Sequence, residues 1–242
     1  MKFMSYDKDK SFLKYEITGS PAFSVVRIYL EQPGQQVRAE GGAMVYMDGH
    51  IHMETKSAGG IMRGLKRKFS GESMFQNFFS LPDGAPPGMV AFAHGAPGDI
   101  VHLHLEKGEE WTLSRDAYIC GSTSIAVTSK LGGFKSMLGG EGLVLTKIMA
   151  EGEGDVWMGG YGYVERHELA PDQEFVCDNG VMMGFQSHMQ HRVSKVGGRK
   201  SFILGGEGIV IRYTGPGVVY TQNREIGLLA SLLVPYLPVT RG

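Results

Sequence analysis

The sequence predicts an all-β protein that is built from three tandem pseudo-repeats in a single domain over residues 1–242. Three observations support this fold class: an unusual glycine content, a series of marks that recurs in the same order, and little helical periodicity. The chain has 36 glycines in 242 residues, about double the usual share of roughly 7%, which suits many tight turns between short strands. A unit of one third of this chain has too little core of its own, so we expect the three to bury their apolar faces on one another.

Each predicted repeat opens with a leucine and a polar turn, at Leu30, Leu105 and Leu169. A double glycine follows each time, and after it a turn that contains a glutamate. The double glycines are Gly59-Gly60, Gly132-Gly133 and Gly197-Gly198, and the glutamates are Glu72, Glu141 and Glu207. Three marks in one order predict a threefold internal duplication, with repeats over about 15–98, 99–162 and 163–223 and a tail over 224–242.

Short strands are predicted within each unit. Asp48-Gly49 favours a two-residue type I′ turn, which predicts a hairpin of strands over 43–47 and 50–55. Strand alternation then places two sets of side chains on opposite faces, namely Val45, Met47, Ile51 and Met53 against Tyr46, His50, His52 and Glu54. Comparable strands are expected over 124–128 and 218–221, and short helices over 62–68 and 225–234.

Charge and cysteine content limit the classes of protein to which the chain can belong. The formal net charge is -1, so the sequence has no global basic footprint for nucleic acid, and binding of nucleic acid would need a local basic patch. Cys120 and Cys177 are too few for a disulfide framework and are expected as reduced thiols. Residues 1–10 do not resemble a signal peptide, and no apolar run reaches the ~20 residues of a spanning helix. We therefore expect a soluble protein of a reducing compartment, the cytoplasm.

Histidine spacing offers an alternative, enzymatic interpretation. His-x-His on a strand projects two imidazoles to one face, as in metal-binding cupin barrels. His50 with His52, completed by Glu54, and His102 with His104 have this spacing. The glycine and the later histidine that a cupin motif also requires are absent at the expected spacing, so a surface ladder or a hydrogen-bonded pair is the favoured interpretation.

A basic cluster offers a second alternative. Arg63, Lys66, Arg67 and Lys68 follow a double glycine. If a helical turn forms there, Arg63 and Arg67 share a face and Lys66 lies beside them, which could attract phosphate, anionic lipid or RNA. A solvated loop is the favoured interpretation because four charges are few in a nearly neutral chain.

The sequence predicts no catalytic residue and no cofactor. No Gly-x-Ser-x-Gly motif marks a nucleophile elbow, and the two cysteines lack the context of a reactive thiolate. The Gly-Gly-Glu-Gly runs that begin at Gly139 and Gly205 are not followed by Lys-Ser or Lys-Thr, so we interpret them as turns rather than phosphate loops.

One signature resembles a known family. Gly64-Leu65-Lys66-Arg67, followed after three residues by Gly71-Glu72-Ser73, is similar to the signature of the family called altered inheritance of mitochondria, or tryptophan RNA-binding attenuator-like. Pro97-Gly98-Asp99 and residues 121–130 match its second unit, and the resemblance extends from about Tyr15 to Asn223. It implies a three-repeat β-sandwich similar to a shortened double-stranded β-helix. It also implies a scaffold or stabilising role, because the mitochondrial relatives are linked to inner-membrane organisation, and it brings no agreed catalytic residues.

The sequence of the C-terminal tail, residues 224–242, predicts a role in assembly. Residues 226–234 would form a helix that is apolar almost all round and therefore has to be covered. Ile226, Leu229 and Leu233 are the candidate assembly residues. We expect a non-enzymatic protein that forms a homo-oligomer, with protein partners or a peripheral membrane contact as further options.

Overall fold

A computed structural model describes residues 12–57, 75–131, 144–195 and 209–238 of the chain. Within these residues almost all regular structure is β-strand, which confirms the predicted all-β class. One α-helix, α1 (Ile226–Leu233), follows the last strand and continues into a 3-10 turn at Val234–Tyr236. The predicted helical tail is therefore present. The predicted helical turn over 62–68 and the double-glycine and glutamate turns lie outside the described residues.

The strands fall into one leading strand and three sets of six. The leading strand is β1 (Lys14–Thr18). The first set is β2 (Val25–Leu30), β3 (Gln36–Glu40), β4 (Met44–Met47), β5 (His52–Ser57), β6 (Phe75–Ser80) and β7 (Gly88–Ala93). The second set is β8 (Gly98–Leu105), β9 (Glu110–Ser114), β10 (Tyr118–Ser122), β11 (Ile125–Leu131), β12 (Val144–Ala150) and β13 (Gly154–Tyr161). The third set is β14 (Val164–Leu169), β15 (Glu174–Asp178), β16 (Met182–Gln186), β17 (Gln190–Lys195), β18 (Ile209–Thr214) and β19 (Gly217–Gln222).

The same antiparallel pairing scheme occurs in all three sets. The sixth strand of each set pairs with the first and the third, and the fifth strand pairs with the second and the fourth. The register also agrees, because Leu30, Leu105 and Leu169 each lie opposite a glycine that begins the sixth strand. The leucines that mark the predicted repeats therefore occupy one equivalent position.

Successive sets are joined edge to edge. Strand β10 of the second set pairs with β3 of the first, and β16 of the third set pairs with β9 of the second. Two six-stranded sheets result, β5-β6-β3-β10-β13-β8 and β11-β12-β9-β16-β19-β14. The remaining described strands form a four-stranded sheet, β1-β2-β7-β4, and a three-stranded sheet, β15-β18-β17.

Each of the first two apolar cores is completed by the set that follows it. The first core, around Phe79 and Phe92, also contains Trp157 of the second set. The second core, around Leu113, also contains Met183 and Tyr220 of the third set. The third core, around Phe185 and Tyr213, contains no residue of the first set among those described.

The hairpin predicted at Asp48-Gly49 is wrong. Strand β4 pairs with β7, whereas β5 pairs with β6 in a different sheet. The turn is closed by the N–H of Ile51, which donates to the carbonyl of Asp48, and the carboxylate of Asp48 accepts from the N–H of Met89. These bonds fix the turn at which the chain passes from one sheet to the next. The predicted apolar face is not continuous either, because Ile51 is buried whereas Val45 and Met53 are exposed.

Candidate functional site

The second predicted histidine pair meets a buried carboxylate. Strand alternation places His102 and His104 on one face of β8, and the antiparallel register sets Asp155 of β13 directly opposite His104. The Nε2 group of His102 donates to Oδ1 of Asp155 over 2.8 Å, and Nδ1 of His104 lies 3.2 Å from the same oxygen. Nε2 of His104 lies 2.9 Å from Oε1 of Glu153. We call these four residues the His–Asp cluster.

The His–Asp cluster holds the start of the described chain. Oδ2 of Asp155 accepts hydrogen bonds from the backbone N–H groups of Phe12 at 2.8 Å and of Leu13 at 3.3 Å. The ring of Tyr15, on β1, packs on His102 with centroids 4.7 Å apart. The carboxylate therefore ties three separate parts of the sequence together: the N-terminal segment, β8 and β13.

Two carboxylates set the protonation of His104. Desolvation by burial lowers the pKa of His104, but hydrogen bonds to Asp155 and Glu153 outweigh it, so the pKa is raised above its usual value. A protonated imidazole can donate from both nitrogens, which suits its position between the two carboxylates. The cluster thus acts as a charged anchor whose nitrogens are directed at protein oxygens.

The first histidine set lies elsewhere. His50 precedes β5, and its Nε2 lies 3.0 Å from the carbonyl oxygen of Pro86. His52 and Glu54 are exposed on β5, and Glu54 pairs with Lys56. Because β5 and β8 form opposite edges of one six-stranded sheet, the structure does not bring the two histidine pairs together. In residues 12–57, 75–131, 144–195 and 209–238, no group of three or more His, Cys, Asp or Glu side chains is arranged to hold a metal ion.

The other predicted site residues lie either outside the described residues or on α1. Arg63, Lys66, Arg67 and Lys68 lie outside the described residues. Ile226 and Leu233 are exposed on α1, and Leu229 is half-buried. No residue of α1 is buried, so the helix presents apolar side chains to solvent.

A cavity that sequence analysis missed lies where the three sets meet. It has a volume of about 710 Å³ and is lined by the turn between the second and third strands of each set. These turns contribute Gly41, Gly42 and Ala43 from the first set, Arg115, Asp116 and Ala117 from the second, and Asn179 and Gly180 from the third. Such a volume lies in the range of small-molecule sites. The Gly41-Gly42 pair is a sequence signal for the first turn, but nothing in the sequence brings the three turns together.

The cavity contains two polar groups in unusual states. Burial raises the pKa of Glu40 to about 7; Asp116 raises it further and Arg115 opposes the shift. Oδ1 of Asn179 is buried with no hydrogen-bond partner. A carboxyl group that is partly protonated near neutral pH and an unsatisfied amide oxygen are suited to hydrogen bonding with a polar molecule.

Known proteins resemble this chain in sequence and in fold. The chain is 27% identical over 237 residues to an uncharacterised protein of Streptococcus pyogenes serotype M6, and the match covers 94% of this chain and 92% of that protein. A crystal structure of a Streptococcus pyogenes protein superposes with a TM-score of 0.75 at 25% identity, covering 93% of this chain and 100% of that one. Among the described residues, no helix is both long and apolar enough to cross a membrane.

The family that the signature resembles also matches most of the chain. The family described as mitochondrial biogenesis AIM24 matches residues 15–224, which is most of the chain. This range begins at β1 and ends just before α1, so it includes all three strand sets. The chain therefore belongs to the mitochondrial biogenesis AIM24 family.

Proposed function

We propose that this protein is a non-enzymatic assembly protein whose three strand sets are copies of one β module. The observation that carries the proposal is the exposed apolar surface of α1. Leu228 is 63% exposed and Leu232 is 69% exposed, one helical turn apart on the same side. A monomeric protein rarely presents such a patch unless it binds something.

The free energy of burying apolar side chains favours a state in which another surface covers α1. An isolated helix of eight residues is not stable in water, so α1 depends on contacts beyond its own hydrogen bonds. Covering each leucine contributes about 1.5–3 kcal/mol. Several such side chains together therefore contribute free energy that offsets the entropic costs of binding.

Charge favours a protein surface over a lipid surface as the partner. Interfacial membrane helices combine their apolar face with Lys and Arg that attract anionic headgroups. Helix α1 has the sequence IGLLASLL, which contains no charged residue. The net charge of -1 gives no further attraction to an anionic membrane. We infer that a second copy of the chain covers α1.

Light scattering on two variants tests this proposal. Leu228→Lys combined with Leu232→Lys places charges on the exposed side of α1 without touching a buried side chain. The matched control is Met149→Lys, which makes the same kind of change at an exposed apolar position on β12. We expect the wild type and the control to exceed the 26.4 kDa of one chain and the tail variant to fall towards it.

Two results would overturn self-assembly through α1. One is a tail variant that keeps the wild-type mass. The other is a wild type that is monomeric in solution and floats with phospholipid vesicles, which would identify a lipid surface as the partner of α1.

A further inference from the structure

The chain makes the same junction between sets twice. Antiparallel pairing places Cys120 opposite Ala39, and the equivalent pair in the next junction is Gly184 opposite Leu113. In both cases the third strand of a later set adds to the free edge of the second strand of the set before it. The two junctions have the same register. In all three sets the third strand has a β-bulge at the same position, where one residue has no partner on the sixth strand.

The bulge residue of each third strand shows what the junction buries. Ile119 is 1% exposed and packs in the first core, and Met183 is 0% exposed and packs in the second. Val45 occupies the equivalent position on β4 and is 51% exposed. Strand β4 therefore has the apolar residue for a third junction, but Val45 belongs to none of the three cores that the described residues form.

The strand that would receive β4 is also open. Strands β3 and β9 each pair on both sides, whereas β15 pairs with β18 and, among the described strands, has no partner on its other edge. Val176, near the middle of β15, is 42% exposed. Its equivalents, Arg38 and Thr112, lie opposite a strand of the following set. The third core likewise contains no described residue of the first set.

These two edges lack the Lys and Arg that most other described edge strands carry; β8, with the sequence GDIVHLHL, is the third described edge strand without them. Exposed strand edges commonly carry Lys or Arg, which discourages pairing with another chain. Edge strands β5, β14 and β17 carry Lys56, Arg166 and Arg192. Strands β4 and β15, with the sequences MVYM and EFVCD, carry neither residue type.

We propose that β4 of one copy of the chain pairs with β15 of a second copy. The two internal junctions fix the register: Tyr46 lies opposite Cys177, Met47 opposite Val176, and Asp48 opposite Phe175. This inference rests on the proposed assembly function and gives it a geometry. Because the two edges differ, the contact is head-to-tail, and it closes into a ring or continues as a filament according to the rotation between copies.

A second copy is favoured over closure within the chain. The two strands are not paired in the chain, although turns from both of their sets line the same cavity. Glu225 and Ile226, which lead into α1, line this cavity beside Gly42 and Gly180. A Cβ atom on Gly180 would overlap the carboxyl group of Glu225, so the tail leaves the body in close contact with the third set. The exposed helix thus begins beside the open edges, and one neighbouring copy can cover both.

Disulfide trapping between two single variants tests the register. Met47→Cys and Val176→Cys are prepared as separate proteins, both with Cys177→Ala so that the neighbouring native thiol cannot react. Opposed residues of antiparallel strands have Cα atoms about 4.5–5.5 Å apart, which is within the range that a disulfide bridges. The matched control pairs Val176→Cys with Thr128→Cys, an exposed position on the edge strand β11.

We expect the mixture of Met47→Cys and Val176→Cys to give a covalent dimer in at least about tenfold excess over the control, the ratio that 1.4 kcal/mol of preference produces. A yield equal to that of the control would overturn the proposal. So would an intramolecular disulfide in the double variant without a dimer in the mixture, which would show that the chain closes on itself. If trapping fails but light scattering still shows an oligomer, the pairing of β4 with β15 is wrong and assembly through α1 stands. If light scattering shows a monomer, both the pairing and assembly through α1 are wrong.

Discussion

His102 donates a hydrogen bond of 2.8 Å from Nε2 to Oδ1 of Asp155, and the side chain of Asp155 is completely shielded from solvent. The same carboxylate accepts from the backbone N–H groups of Phe12 and Leu13. A buried charge of this kind is stable only when its partners satisfy it. This carboxylate therefore fixes the residues just before β1 to the body of the protein, in addition to the pairing of β1 with β2.

Asp155→Asn should release Phe12 and Leu13 and weaken the attachment of β1. The amide keeps the shape of the carboxyl group but removes its charge and turns one acceptor into a donor, so the donors around it lose their partner. Breaking a buried charged pair costs about 3–5 kcal/mol, and we expect a loss of that order in the free energy of unfolding. Urea denaturation measures it, and hydrogen exchange should show faster exchange in β1.

Glu153→Gln is the matched control for that prediction. Glu153 bonds His104 from the same cluster, but its side chain is 55% exposed. Exposed ion pairs contribute about 0–1 kcal/mol. Equal losses for Asp155→Asn and Glu153→Gln would contradict the anchor role of Asp155.

Glu40, which lines the cavity, should make the stability of the protein depend on pH. Burial raises its pKa in the folded protein from 4.5 to about 7, so the folded state binds a proton more tightly than the unfolded state does. The resulting stabilisation is fully present below pH 4.5 and is lost as the pH rises through about 7. Glu40→Gln should remove this part of the pH dependence, so that the wild type loses stability relative to the variant over that interval.

Urea denaturation of both proteins across this pH interval checks the prediction for Glu40. Parallel curves of unfolding free energy against pH for the wild type and Glu40→Gln would show that Glu40 has an ordinary pKa in the folded protein.

Gly98 should tolerate no side chain. It begins β8, where the chain crosses Gly162 in an isolated parallel bridge, and a Cβ atom there would overlap the backbone carbonyl oxygen of Gly160. Backbone atoms cannot move aside as a flexible side chain can, so Gly98→Ala should cost at least the roughly 1–3 kcal/mol typical of overpacking. Thermal unfolding measures the loss as a lower melting temperature.

Gly95→Ala is the control for Gly98→Ala, because open space surrounds a Cβ atom at that nearby position. Its melting temperature should match that of the wild type. If both alanine variants unfold at the same temperature, the two segments of the chain do not approach each other as closely at Gly98 as the structure shows.

The sequence predicted the β class and the equivalent leucines because both depend on local signals. Leu30, Leu105 and Leu169 are each followed by a polar turn, and a turn of that kind is specified by neighbouring residues. The apolar tail was recognised for the same reason, since a short helix has its period in consecutive residues.

The features that sequence analysis missed depend on strand pairing. Asp155 is 53 residues from His102, and only the register between β8 and β13 brings them together. At Asp48-Gly49 the local signal predicted a hairpin, but pairing of β4 with β7 and of β5 with β6 places the two strands in different sheets. The cavity combines turns from three distant parts of the chain, so no local pattern marks it.

The molar mass of the unmodified chain, measured by light scattering over a range of concentrations, tests the central claim of assembly most directly. A head-to-tail contact together with a covered α1 predicts a mass of at least two chains that rises, or stays constant, as the concentration increases. A mass of 26.4 kDa at every concentration would contradict the account.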